Sequence, residues 1–374
     1  MMEAKSAYIH IPFCVKICTY CDFNKYFIQH QPVDEYLACL VEEMKQAKVT
    51  TLDTLFVGGG TPTALSEAQL EYLLKAIHRH FIIKGEFTFE ANPDELTSEK
   101  VALLKAYGVN RLSIGVQTFD DTLLKTLGRS HTNSDIYQAI RHARHHQIPS
   151  ISLDLMYHLP GQSMKQFQDS LDQALQLDID HLSSYGLILE PQTQFYNQYR
   201  KGKLTMPDED IGAEMYQYLM SRMKKSDLNQ YEISNFAKKG HESVHNQVYW
   251  KNEGYYGFGA GASGYVDGMR YTNVNPVNHY IKKVQQHELP RLSENYPTVK
   301  EQMEEEMFLG LRMNQGVSRS RFKEKFDVSI ESIYENEIQE LQRQHLIQLT
   351  DTHISLTDRG RMVGNSVFEA FIKV

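Results

Sequence analysis

Three of the chain's four cysteines fall in one short stretch, "CVKICTYCDF", as Cys14, Cys18 and Cys21. A structural zinc site closes four ligands, usually from two separated pairs. The remaining thiol, Cys39, lies 18 residues further on, on a predicted helix without a partner, and reads as a small core residue. Zinc would have to borrow a histidine. An iron–sulfur cluster held by three thiolates leaves one iron open, and thiolate is the ligand type such clusters use. An open iron implies catalysis or the binding of a small molecule.

Up to about residue 190 one pattern recurs: a short apolar strand, a Gly-rich or polar turn, then an amphipathic helix. The strand candidates are "AYIHIP", "TLFVGG", "EFTFEAN", "RLSIGVQ", "SISLDLMYHL" and "LSSYGLIL". Helical spacing of apolar residues predicts helices over Val33 to Lys48, Ser66 to His80, Ser98 to Tyr107, Ser134 to His146, Ser163 to Leu177 and Glu209 to Lys224. Six βα units in series require parallel strands with crossover connections. With "YEISNFA" (231–237) as a partial seventh strand, they suggest an incomplete barrel. Polar and glycine residues mark the strand ends. The cysteines follow the first strand and Gly58, Gly59 and Gly60 the second; Glu90 ends the third, Gln117 the fourth, and Asp154 lies within the fifth. In a parallel barrel these ends share the face that carries chemistry.

Past residue 238 the pattern changes. Residues 238–299 are rich in Gly and aromatics and read as loop with short strands. Residues 300–374 give three helical segments, a hairpin candidate "LIQLTDTHISLT" and a last helix, like a winged helix. The expected domains are thus a barrel core (1–237), a connecting segment (238–299) and a small C-terminal α+β domain (300–374). Residues 301–374 hold 9 Lys/Arg against 13 Asp/Glu, and the whole chain carries a formal charge of −8. That balance argues against a general nucleic-acid binder and favours a packing or lid role for the last domain. No signal peptide and no apolar run of the ~20 residues needed to cross a bilayer is evident. A cytoplasmic location is expected.

The spacing Cys-x3-Cys-x2-Cys after the first strand of a partial barrel, with Tyr20 just before the last Cys, resembles the radical SAM superfamily. The resemblance implies a [4Fe-4S] cluster on Cys14, Cys18 and Cys21. By the same resemblance its open iron would chelate S-adenosylmethionine, and one electron from the reduced cluster would cleave the sulfonium to methionine and a 5′-deoxyadenosyl radical. Residues suited to that ligand are Gly59 and Gly60, whose backbone it can approach closely, and Thr61, which follows them. Glu90 can accept from a ribose hydroxyl, Gln117 and Asp154 offer polar contacts, and Arg129 can meet the methionyl carboxylate. Tyr8, on the first strand, is either a contact or a core aromatic.

The ordered motifs "YIHIPFC", "GGGTPT", "EANP", "RLSIGVQ", "LGRSHT", "DLMYHLPGQ" and "HNQVYW" resemble the coproporphyrinogen III oxidase-like family across most of the chain. Within it, the oxygen-independent coproporphyrinogen dehydrogenases continue as Cys-x3-Cys-x2-Cys-x-Cys and carry a longer N-terminal segment. Here Phe23 stands at the extra position and the first Cys is already residue 14. Both departures point to the family's heme chaperones. That group carries an HN-x-x-YW motif implicated in heme binding, matched by His245, Asn246, Tyr249 and Trp250; an imidazole is a common axial ligand for heme iron. The resemblance implies heme as cargo, acceptor hemoproteins (membrane-bound respiratory components among the candidates) and an electron donor. The competing expectation is oxidative decarboxylation of coproporphyrinogen III. A tRNA-modifying radical enzyme finds no support in the acidic charge balance.

Overall fold

Apolar runs of five to ten residues bury both faces when they form a parallel sheet covered by helices. The structure is a computed structural model and describes residues 4–372; the outermost residues of the expected end domains lie outside it. Strands β1 (Ser6–Ile11), β2 (Thr51–Gly59), β3 (Ile82–Ala91), β4 (Arg111–Gln117), β5 (Ser150–Tyr157) and β6 (His181–Gly186) lie side by side in chain order, all parallel. Helices α1 (Val33–Lys45), α2 (Glu67–His80), α3 (Ser98–Ala106), α4 (Asn133–His145) and α5 (Met164–Leu175) make the crossovers, and α6 (Glu209–Met223) follows β6. Ser66 with Gln69, and Ser163 with Gln166, form capping boxes that start α2 and α5. This is the expected six-unit partial barrel of TIM-like type. Its core holds Ile9, Leu55, Phe89, Ile114, Leu153 and Leu182, all fully buried.

The sheet edges differ from the sequence expectation. Within "YEISNFA" only Asn235–Ala237 (β7) joins the sheet, and it runs antiparallel to β6. Asn229–Gln230 pairs antiparallel with it as the edge strand, so a short hairpin ends the sheet and no further βα unit is added. At the other edge, Tyr256–Phe258 (β8) pairs parallel with β1, inside a segment read as mainly loop. In the same segment "VHNQVYW" is helix α7 (Val244–Trp250), not loop. Its aromatic content hid a helix whose start is set from far away: Glu86, on β3, accepts from Ser243 Oγ, Val244 N and His245 N at 3.2, 2.9 and 3.0 Å. Strands Ser263–Val266, Met269–Asn273 and Arg291–Asn295 make a small antiparallel sheet. Helix α8 (Val277–Gln285) packs on α1 through Tyr280 against Tyr36, with ring centroids 5.1 Å apart. Cys39 lies in this interface, buried, its thiol 3.9 Å from the Ile281 carbonyl.

The C-terminal region has its own core around Phe322, Ile330, Tyr334, Ile354 and Phe371. Helices α9 (Val299–Gly310), α10 (Arg319–Phe326) and α11 (Ile330–Arg343) precede a hairpin of Ile347–Leu349 and His353–Leu356. The expected last helix is two short ones, Asp358–Met362 and Gly364–Glu369. No helix among the described residues is long and apolar enough to cross a membrane.

Candidate functional site

Cys14 ends the short strand Phe13–Cys14, which pairs with Tyr26–Phe27 and closes the intervening residues into a loop. Neighbouring segments tie that loop down on three sides. Thr19 N and Oγ1 donate to the Leu127 and Thr126 carbonyls, each at 3.1 Å. Phe195 N donates to the Thr19 carbonyl at 3.0 Å. Asn24 Nδ2 donates to the Ala260 and Asn275 carbonyls at 2.8 and 2.9 Å. His10 Nε2 donates to the Asn24 carbonyl at 2.7 Å, so its Nδ1 accepts from the Tyr8 hydroxyl at 2.9 Å.

The glycines after β2 let this loop sit against the strand ends. Gly59 has φ +116°, and a Cβ there would lie 2.4 Å from the His10 ring. A Cβ on Gly60 would lie 2.8 Å from Phe13 N and O. Close backbone approach is thus required inside the protein itself, before any ligand is considered. Gly60 N donates to the Ile11 carbonyl and Thr61 N to the Phe13 carbonyl. Thr61 Oγ1 lies 3.6 Å from Cys14 Sγ.

The loop and the strand ends enclose a cavity of about 140 Å³, lined by Cys14, Cys18, Tyr20, Cys21, Gly59, Gly60, Thr61, Glu90, Gln117, Arg129 and Asp154. Most of the residues singled out in the sequence therefore meet in one place. Tyr8 and His245 do not; they line an adjoining cavity of about 210 Å³ that shares Gly59 and Glu90 with the first. Asn92 and Ser113 line the first cavity and escaped the sequence reading. Ser113 was findable, because the period of two places Ser113, Gly115 and Gln117 on one face of β4.

Arg129 braces the cavity. Its Nη2 donates to Asn92 Oδ1 and to the Gly115 carbonyl, both at 2.6 Å, and Nη1 reaches Cys18 Sγ at 3.5 Å. Gln117 lies beyond a register shift in β4, with φ +67°, an uncommon backbone state for a residue with a side chain. Glu90 accepts from Gly59 N at 2.8 Å, and Ser113 Oγ donates to Asp154. Burial, opposed by the Gly59 N–H and reinforced by Asp154, pushes the Glu90 carboxyl up to about 7. Burial also raises Asp154, against the hydroxyls of Ser183 and Ser113. Two half-buried carboxyls with few donors suit a polar or cationic ligand.

The donor set also fits an iron–sulfur cluster. All three cysteines are free thiols. Among the described residues no three metal-ligating side chains converge on a single ion position. A cubane asks less, since each thiolate binds a different iron and the ligands need only ring a cavity. Burial pushes Cys14 up to about 12, against the Thr61 hydroxyl, and Cys21 up to about 11, against Lys25. Thiolate is the liganding form, so cluster binding must release these protons.

His245 is fully buried. Nδ1 lies 2.8 Å from Thr54 Oγ1 and Nε2 lies 2.8 Å from the Tyr249 hydroxyl, so both ring nitrogens are engaged. The ring stacks on Phe56 at 5.3 Å, and burial lowers its pKa to about 3. In this conformation the imidazole presents no free nitrogen to iron.

A partial parallel barrel whose strand ends meet three thiols on a braced loop is the architecture of a radical SAM protein, and the model of the Radical SAM superfamily matches residues 8–174. The HemN C-terminal domain model matches residues 298–363. The chain is 50% identical over 377 residues to "Heme chaperone HemW" of Bacillus subtilis (strain 168), covering 98% of this chain and 99% of that one. It is 45% identical over 374 residues to the protein of the same name from Lactococcus lactis subsp. lactis (strain IL1403), covering 100% and 98%. The chain belongs to the HemW family of radical SAM proteins. Its fold is also that of the coproporphyrinogen III oxidase (HemN) from Escherichia coli, with TM-score 0.87 and 24% identity over 99% of this chain and 90% of that one.

Proposed function

We propose that the chain is a heme chaperone, binding heme and passing it to acceptor hemoproteins, with a [4Fe-4S] cluster and S-adenosylmethionine held beside the heme site. The observation that carries the reading is end-to-end identity of 50% to a protein named for that role. The three thiols at the barrel mouth support it as well. Cys14, Cys18 and Cys21 would hold the cluster. Gly59, Gly60, Thr61, Glu90, Gln117, Arg129 and Asp154 would hold S-adenosylmethionine, with Tyr20 packed in the same cavity and Tyr8 next to it. Bound there, the pair supplies one-electron chemistry. The chain's own part is to keep the thiols in place, offer Arg129 to a carboxylate and set two half-buried carboxyls on the cavity wall. An electron donor and acceptor hemoproteins are the implied partners, without nucleic acid, and the expected setting is the cytoplasm. Residues 238–299 and 300–374 act as connecting segment and C-terminal domain. As an axial ligand, His245 requires Tyr249 to release Nε2 and the cavity beside it to widen.

The test is anaerobic reconstitution with iron and sulfide, then heme titration, transfer to an apo-hemoprotein and a coproporphyrinogen assay on one sample. Saturable heme binding and transfer without decarboxylation are expected. Robust conversion of coproporphyrinogen III to protoporphyrinogen IX replaces the chaperone reading with the dehydrogenase one.

A further inference from the structure

Heme has an apolar macrocycle and two propionate carboxylates on one edge. A protein that holds it buried needs an apolar wall and a cation at one end. The barrel interior contains a cavity of about 530 Å³ that shares Tyr20, Cys21, Phe23, Glu90, Ser113, Gln117 and Asp154 with the thiol cavity. That volume lies within the range of roughly 300–1,000 Å³ usual for small-molecule sites. Its two ends differ in chemistry. On the side of the thiol loop and the segment after β6 lie Phe23, Met156, Leu187 and Ile188, with Phe23 and Ile188 exposed. At the other end lie Arg111, His181, Ser243 and Asn246, where Arg111 and His181 are the first residues of β4 and β6.

Arg111 is the unexplained group. It is 4% exposed and lines the cavity. Nη1 donates to Ser150 Oγ and to the His241 carbonyl, each at 3.0 Å. Nε and Nη2 make no hydrogen bond to the described residues, and no carboxylate among those residues forms an ion pair with it. Asp154 feels its charge but accepts from Ser113 at 3.2 Å through both oxygens. A buried cation without a counter-ion is unfavourable unless a ligand supplies one. A guanidinium with two unused donor positions matches a carboxylate in two-pronged fashion. Glu190, together with Glu90 and Asp154 in their ionised forms, lines other parts of the cavity and disfavours a carboxylate there, which leaves the Arg111 end as its place.

We propose that Arg111 anchors a carboxylate of the ligand in the barrel cavity, so that a porphyrin stands there with a propionate on Arg111 and its apolar part against Phe23, Leu187 and Ile188. The assignment deepens the heme-chaperone reading and rests on it for the ligand's identity.

The test is a Soret titration of the full, reconstituted chain with heme and with heme dimethyl ester, in which both propionates are capped. The ester should bind the wild type at least tenfold more weakly than heme. Arg111→Gln should weaken heme at least tenfold and leave the ester unchanged, with Arg111→Lys in between. Equal affinity of the wild type for heme and ester overturns the Arg111 assignment and leaves the chaperone reading standing. So does unchanged heme affinity in a folded Arg111→Gln. The ester comparison needs no variant, so misfolding of Arg111→Gln does not shelter the proposal. Absence of any saturable Soret change with either ligand overturns the chaperone reading and this assignment together.

Discussion

Single residues here do more than their types announce. Cys39 shares its chemistry with the loop thiols but lies between α1 and α8, so Cys39→Ala should leave cluster absorbance intact after reconstitution. Alanine at Cys14, Cys18 or Cys21 should abolish it, and a full cluster in Cys18→Ala removes the assignment. Arg129 binds Asn92, the Gly115 carbonyl and Cys18 at once. A charge-assisted bond to a ligand carboxylate contributes roughly 1.5–3 kcal/mol. Arg129→Ala should therefore weaken S-adenosylmethionine by about one to two orders of magnitude in equilibrium binding; unchanged affinity takes Arg129 out of the site. His245 titrates near 3 because burial holds it neutral. Its folded pKa lies below the unfolded value near 6.5, so the unfolded chain binds the extra proton between those values. The stability involved is complete above pH ~6.5 and is lost as pH falls toward 3, at about 1.4 kcal/mol per pH unit for one group. Urea unfolding at stepped pH should show stability falling toward low pH, and His245→Asn should make the fall less steep by one group's share, since burial also lowers His10, His131 and His181. The same variant should shift the heme Soret band only if the imidazole leaves Thr54 and Tyr249 to reach iron.

Among the elements, the βα series was legible because each unit repeats a local grammar: an apolar run, a turn, and a capped helix such as Ser66 to His80. Helix α7 was not. Its seven residues are too few to be stable alone, and its start depends on Glu86, more than 150 residues earlier in the chain. Three bonds to one carboxylate act as a cap supplied from β3. Replacing Glu86 with Ala should cost about 0.5–2 kcal/mol by the usual scale of capping, measured as a lower urea midpoint, with Glu86→Gln losing less. No change in midpoint would mean that the Ser243 cap on Asn246 N and the packing of Val248 and His245 hold the helix.

At the scale of the molecule, α7 links the barrel to the C-terminal core. His245 bonds to Thr54 on β2, while Trp250 lies under Arg312, whose guanidinium carbon is 4.4 Å from the indole centroid and 5.7 Å from Phe368. Ion pairs of Arg321 with Glu253 and of Arg270 with Glu305 brace the same junction. Trp250 is the chain's one tryptophan, so its fluorescence reports this contact. A cation over an indole is worth about 0.5–2 kcal/mol. Arg312→Ala should shift the emission to the red and lower the stability of the junction by that order; an unmoved spectrum would show that the contact does not hold the indole.

The sequence alone determined the kind of centre and the sheet that presents it. Thiol spacing and strand periodicity are short-range properties, written within eight residues for the cysteines and within about thirty for each βα unit. Tertiary structure decided the remainder, because it depends on groups brought together from distant positions. It placed Asn92 and Ser113 with Arg129 and Asp154 at one cavity, and left Arg111 buried with no ion pair to a carboxylate among the described residues. It set β7 antiparallel against β6 and β8 beside β1. It also closed both nitrogens of His245 against Thr54 and Tyr249, which no local pattern announces, since Thr54 lies 191 residues away.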